Sequence, residues 1–249
     1  MRALLITAGF LLASAAHAQD PVQRPAAGDT TYGADAIAHA HHARTFSRVS
    51  FDLEAGESDG ETLFASEGDA WIGGDRNKLW FKSEVEVIGG EPERAELQAL
   101  YSRNLSTFFD AQAGVRYDAE PDGRAYLTAG VKGLAPYLFE TDAQVFLSED
   151  GDVSFRLEQG FELLLTQRLV LEPEFETELQ LDDVPGLDLG AGFTDVEASL
   201  QLRYEITRKF APYLTAEYAR ALGDTADLRR TAGETVGGWS LRAGLRSWF

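Results

Sequence analysis

From Phe46 to Phe249 apolar and polar residues alternate with a period of two, segment after segment. That period belongs to β-strands, whose successive side chains point to opposite faces. One segment carries Phe109, Ala111, Ala113, Val115 and Tyr117 against Asp110, Gln112, Gly114 and Arg116. Another carries Val153, Phe155, Leu157, Phe161, Leu163 and Leu165 against Arg156, Glu158 and Glu162. A third carries Leu169, Leu171, Phe175, Leu179 and Leu181 against Glu172, Glu174, Glu176 and Glu178. Twelve such segments begin near residues 46, 64, 77, 93, 106, 123, 136, 152, 168, 192, 209 and 237. Most run well beyond the ~5–6 residues of strands in soluble sheets and reach the ~9–11 residues a strand needs to cross a bilayer. No stretch after the first twenty residues is apolar enough for a spanning helix, so membrane residence requires a closed barrel.

The connections support that expectation. Short polar turns fall at 74–77, 103–105, 133–135, 166–168 and 207–209. Stretches richer in Gly, Asp, Glu and Pro fall between them, at 55–62, 88–92, 118–122, 148–151, 183–191 and 222–236. Short turns alternating with longer loops predict an all-β, antiparallel up-and-down transmembrane barrel of about twelve strands, with tight periplasmic turns and both termini periplasmic. Aromatics collect near the short turns: Trp71 and Trp80, Tyr101 and Phe108, Tyr137, Tyr204 and Phe210, Trp248 and Phe249. Such rings favour the headgroup level, so they are expected to form the periplasmic girdle. A soluble barrel would carry the same alternation with its apolar face inward. Strand length, turn rhythm and the terminal Phe249, which resembles the signal read by the outer-membrane assembly machinery, favour lipid on the apolar face.

The first 45 residues differ in kind. Arg2, the apolar run Ala3–Ala15 and the small-x-small ending Ala16-His17-Ala18 read as a signal peptide over residues 1–18. Residues 19–45, with Pro21, Pro25, Gly28 and Gly33, are expected to be a flexible periplasmic lead-in, and residues 46–249 the outer-membrane barrel. With no cysteine, disulfides, zinc–thiolate sites and cysteine nucleophiles are excluded. A formal charge of −19 argues against nucleic acid and for cations as partners.

With the polar face turned inward, the lumen is expected to hold more carboxylates than bases and to prefer cations. Alternate residues on a strand stand about 7 Å apart, so Glu172, Glu174, Glu176 and Glu178 form a carboxylate ladder. Two readings of it stand open: a ladder paired with arginines on adjacent strands, or a track that guides cations. Enzyme chemistry is not expected, because every mature histidine precedes the first strand and no phosphate-cradling glycine loop is present. The histidines themselves, His39, His41 and His42, form a compact cluster with Asp35 upstream. Imidazoles at i and i+2 of an extended segment can converge on one copper or zinc ion, while the same cluster also fits incidental polarity in a tail.

Several runs, taken together and in order, resemble the copper resistance protein B family of outer-membrane proteins: Asp69–Glu84, Asn104–Asp118, Gly133–Tyr137, Leu165–Pro173 and Leu202–Tyr213. The resemblance covers about residues 46 to 249. It implies an outer-membrane barrel in copper homeostasis that binds copper ions and sequesters them or assists their removal from the periplasm. It also implies periplasmic copper carriers or a pump as partners, beside lipid and the barrel assembly machinery. Family members commonly carry a Met/His-rich region before the barrel. Here that region is short, and the chain's single methionine is Met1, so His39, His41, His42 and Asp35 are the candidate ligands. The alternative expectation is a general cation-selective or oligosaccharide channel with no specific copper role.

Overall fold

A computed structural model describes residues 45–249. The signal peptide and the cluster Asp35, His39, His41 and His42 lie outside the described residues. The chain forms β1 (Phe46–Ser58), β2 (Glu61–Gly73), β3 (Asn77–Ile88), β4 (Glu91–Asn104), β5 (Phe109–Glu120), β6 (Arg124–Ala135) and β7 (Phe139–Ser148). There follow β8 (Val153–Gly160), β9 (Leu163–Leu164), β10 (Leu169–Gln180), β11 (Gly192–Tyr204), β12 (Phe210–Ala221), a helix α1 (Gly223–Ala232) and β13 (Gly237–Trp248). The strands pair antiparallel in sequence order, except that β8 pairs past β9 with β10, and β13 closes the sheet on β1 through pairs such as Leu53 with Leu245. β8 and β9 both pair with β10, so they are two pieces of one staircase position and the barrel has twelve walls.

The break between β8 and β9 has a cause one strand away. Its residues Phe161 and Glu162 lie opposite Pro173 and Glu172 of β10, and the Phe161 N–H donates to the Pro173 carbonyl at 3.2 Å. Proline has no N–H to return, so the ladder loses a bond there and the strand gives way.

The lipid-facing wall is apolar: Phe64, Phe81, Leu97, Val115, Leu127, Leu200, Leu214 and Leu241 are all exposed on the outside. A soluble barrel would have buried them. Bilayer lipid covers such a surface, while the lumen face takes the polar set (Ser102, Gln112, Asp142, Arg156 and Arg203, all buried).

Two expectations need correction. The outer connections are not uniformly long. β1–β2 and β3–β4 are joined by two-residue turns, Asp59-Gly60 (φ 50° and 89°) and Gly89-Gly90 (φ 61° and 93°). Two successive positive φ angles define the hairpin turn whose twist matches the strands it joins. The Glu- and Gly-rich sequence beside these turns therefore continues the strands. Extended outer loops occur at the β10–β11 connection and at β12–β13, where α1 resides.

The girdle also differs in membership. Tyr101, Phe108, Tyr137, Tyr204, Phe210 and Phe249 face outward near the periplasmic end, as expected. Trp71, Trp80 and Trp248 do not belong with them. Trp71 and Trp80 are cross-strand partners with ring centroids 6.2 Å apart, and both share the inward parity of Asp69 and Lys82. Lys78 and Lys132 sit over their faces, at 6.0 Å from Trp71 and 5.4 Å from Trp80. Trp248 donates its indole N–H to the Arg208 carbonyl and stacks under Arg48 and Lys209. These tryptophans serve lysine and arginine at the lumen's periplasmic mouth, where a cation over a ring is attracted by its quadrupole.

Candidate functional site in the barrel lumen

Twelve closed strands bring their inward side chains around one lumen, and the register decides which charges meet. Two rows of carboxylates run across neighbouring strands. In the first, Asp52, Glu67, Glu84 and Glu96 are successive partners on β1, β2, β3 and β4. In the second, Asp142, Glu158, Glu176 and Glu197 are successive partners on β7, β8, β10 and β11. Directly opposed side chains stand about 5 Å apart, and like charges there repel. Each row is held by basic groups reaching in from elsewhere.

For the first row, Arg246 meets Asp52 at 2.8 Å and Arg94 meets Glu84 at 2.8 Å. Arg116 and Arg156 meet Glu96 at 2.9 and 3.2 Å. For the second, Lys82 and Lys132 share Asp142 at 2.7 and 3.4 Å. Arg156 approaches Glu176 at 3.3 Å without hydrogen-bond alignment, and Arg94 lies 3.9 Å from Glu197. Each row keeps one member without a basic partner among the described residues: Glu67 in the first, Glu158 in the second.

Several of these contacts cross the lumen instead of running along the wall. Arg94 on β4 and Glu197 on β11 stand on opposite sides of the ring. Arg156 on β8 reaches Glu96 on β4, and Lys82 on β3 reaches Asp142 on β7. Arg156 is the hub. It is only 6% exposed, binds Glu178 at 2.6 Å besides Glu96, and lies over the ring of Phe146 together with Arg116. Phe146 and Leu100 are themselves buried inside the lumen. The barrel is therefore spanned by charged crossbars and plugged in part by side chains, unlike a wide water-filled pore.

The ladder on β10 points into this lumen along its length. Glu172 is engaged by Arg203 at 2.6 Å and by Arg246 at 3.0 Å, and Glu178 by Arg156. Glu176 shares that same arginine, while among the described residues Glu174 receives only the Ser199 hydroxyl, at 3.3 Å. Three of the ladder's carboxylates, Glu172, Glu176 and Glu178, thus lie against arginines, and Glu174 does not. Asp52, Glu54, Glu67, Asp69, Asp118 and Asp195 complete the acidic lining and were not picked out from the sequence. Their alternation is diluted by Ser, Ala and Gly on β1 and β2, although parity with Arg116 would have found Asp118. Among the described residues no group of three or more His, Asp or Glu side chains converges with metal-binding geometry.

A closed antiparallel barrel with an apolar hull, outward aromatics and a charged lumen is an outer-membrane β-barrel. Solved barrels agree on the fold. The NanC porin matches with a TM-score of 0.57 at 13% identity, over 79% of this chain and 98% of that one. The KdgM porin matches with a TM-score of 0.51 at 12% identity, over 80% of this chain and 98% of that one. At the level of sequence, residues 45–249 match the family described as copper resistance protein B precursor. Copper resistance protein B of Escherichia coli is 39% identical over 198 residues, 79% of this chain and 67% of that protein. The copper resistance protein B homolog of Pseudomonas syringae pv. tomato (strain ATCC BAA-871 / DC3000) is 36% identical over 202 residues, 81% of this chain and 69% of that protein. The chain belongs to the copper resistance protein B family, and it is a copper-resistance protein of the outer membrane.

Proposed function

We propose that this protein binds copper ions and holds them for sequestration or removal from the periplasm, without enzymatic chemistry. The observation that carries the reading is the acidic lumen, in which Glu67, Glu158 and Glu174 have no basic partner among the described residues, beside rows that arginine and lysine already hold. A carboxylate in that position attracts a divalent cation, because the neighbouring negative charges add to its field. The cluster His39, His41 and His42 with Asp35 supplies the imidazole ligands that copper(II) prefers, and it precedes β1 closely in sequence. The histidines capture the ion and the lumen retains it. A barrel has no energy source, so removal depends on a gradient or on periplasmic carriers.

The crossbars favour holding over free passage. A general cation channel needs a continuous aqueous path, and the links Arg94–Glu197 and Arg156–Glu96 place charged side chains across the lumen such a path would use. The test is copper tolerance in cells that lack their own member of the family. Expression of this chain should raise the copper concentration that halts growth and leave zinc tolerance unchanged. Equal effects on both metals would favour the general channel.

A further inference from the structure

At the periplasmic mouth the lumen wall hollows into a cavity of about 290 Å³, lined by Lys78, Trp80, Asn104, Asp110, Gln112 and Lys132 among others. Its chemistry is opposite to the rest of the lumen. The one carboxylate, Asp110, is already saturated: it accepts from Lys78 at 2.7 Å, Asn104 at 3.0 Å and Ser102 at 3.3 Å. Donors, in contrast, are left over. Gln112 is 3% exposed, and neither its amide nitrogen nor its amide oxygen has a partner among the described residues. The Trp80 indole N–H is also buried without one. Lys132 is tied only loosely, at 3.4 Å, to an Asp142 that Lys82 already holds at 2.7 Å.

A buried amide left unpaired costs about 1–3 kcal/mol, so two such groups lining the same cavity are recovered by a ligand that accepts hydrogen bonds. We propose that this cavity binds a small oxyanion, a carboxylate or phosphate group, held by the Lys132 ammonium, the Trp80 indole N–H and the Gln112 amide. The charge on Lys132 selects an anion, and ammonium-to-oxyanion bonds are the stronger kind. The volume is ample for an anion the size of acetate or phosphate. The site stands independently of copper binding: its residues are separate from Glu67, Glu158, Glu174 and the histidines.

The experiment is a titration of the refolded mature chain in detergent with sodium acetate and, separately, inorganic phosphate. Chloride keeps ionic strength constant, and tryptophan fluorescence is followed. Two variants run alongside, Gln112→Glu, which places a negative charge in the cavity, and Lys132→Gln. Strand circular dichroism confirms that both are folded. Wild type should respond saturably, and both variants should bind at least tenfold more weakly. The tighter of the two anions names the class. Absence of a saturable response to either anion, or unchanged affinity in both variants, would overturn the site.

Discussion

Arg156 shows how much one side chain carries in this barrel. It sits among Glu96, Glu176 and Glu178 and over Phe146, so its removal leaves Glu176 and Glu178 without a basic partner among the described residues and Glu96 with Arg116 alone. Breaking a buried pair from one side costs about 3–5 kcal/mol, of which lumen water screens a part. Arg156→Ala should therefore lower the unfolding midpoint and raise single-channel conductance to cations in planar bilayers. Unchanged conductance would show that the crossbar does not obstruct the lumen. The inward parity of Arg156 was legible in the sequence, as was that of most charged lumen residues, because period two assigns faces without knowing partners. What Arg156 binds was not legible. Its contact with Glu96 depends on barrel closure, which brings β8 and β4 across the lumen. Trp71 and Trp80 show the opposite lapse. Their parity with Asp69 and Lys82 was available, but proximity to short turns suggested the lipid face, and the lysines over their rings account for the difference.

At the scale of elements, hairpin chemistry decides register and proline decides continuity. Gly90 adopts φ 93° in the β3–β4 turn, a conformation a β-branched side chain resists. Gly90→Val should cost about 1–2 kcal/mol, read as a lower unfolding midpoint with unchanged strand content. A neutral result would mean that the turn is not needed to set the β3–β4 register. Pro173 is expected to act in the other direction. Pro173→Ala restores a backbone donor opposite Phe161, and one net hydrogen bond is worth about 0.5–1.5 kcal/mol. The variant should unfold at a higher temperature and protect the amides around Phe161 and Glu162 from exchange. A lower midpoint would locate the cause of the β8–β9 break elsewhere. Strand starts at Phe46, Asn77, Val153, Leu169, Gly192, Phe210 and Gly237 fell within a residue of expectation, because alternation begins sharply there. The outer loops around residues 59 and 89 were overdrawn, since Gly and Glu beside a hairpin turn look like loop until the register shows them paired.

The whole molecule combines an apolar hull, which fixes it in the outer membrane, with an acidic lumen that its own arginines partly neutralise and partly close. The charge pairs that cross the lumen leave Glu67, Glu158 and Glu174 as the carboxylates on which the proposed retention of copper rests. On the proposed function, the histidine cluster and the lumen carboxylates would contribute separately to copper binding, and a binding measurement can separate them. The most direct measurement is copper(II) equilibrium dialysis of the refolded mature chain beside a variant carrying His39→Ala, His41→Ala and His42→Ala. Wild type should bind copper with a tight component that the triple variant lacks, while a weaker component remains and disappears on adding Glu67→Gln, Glu158→Gln and Glu174→Gln. Wild-type protein that binds no copper would contradict the account, whatever channel activity the barrel displays.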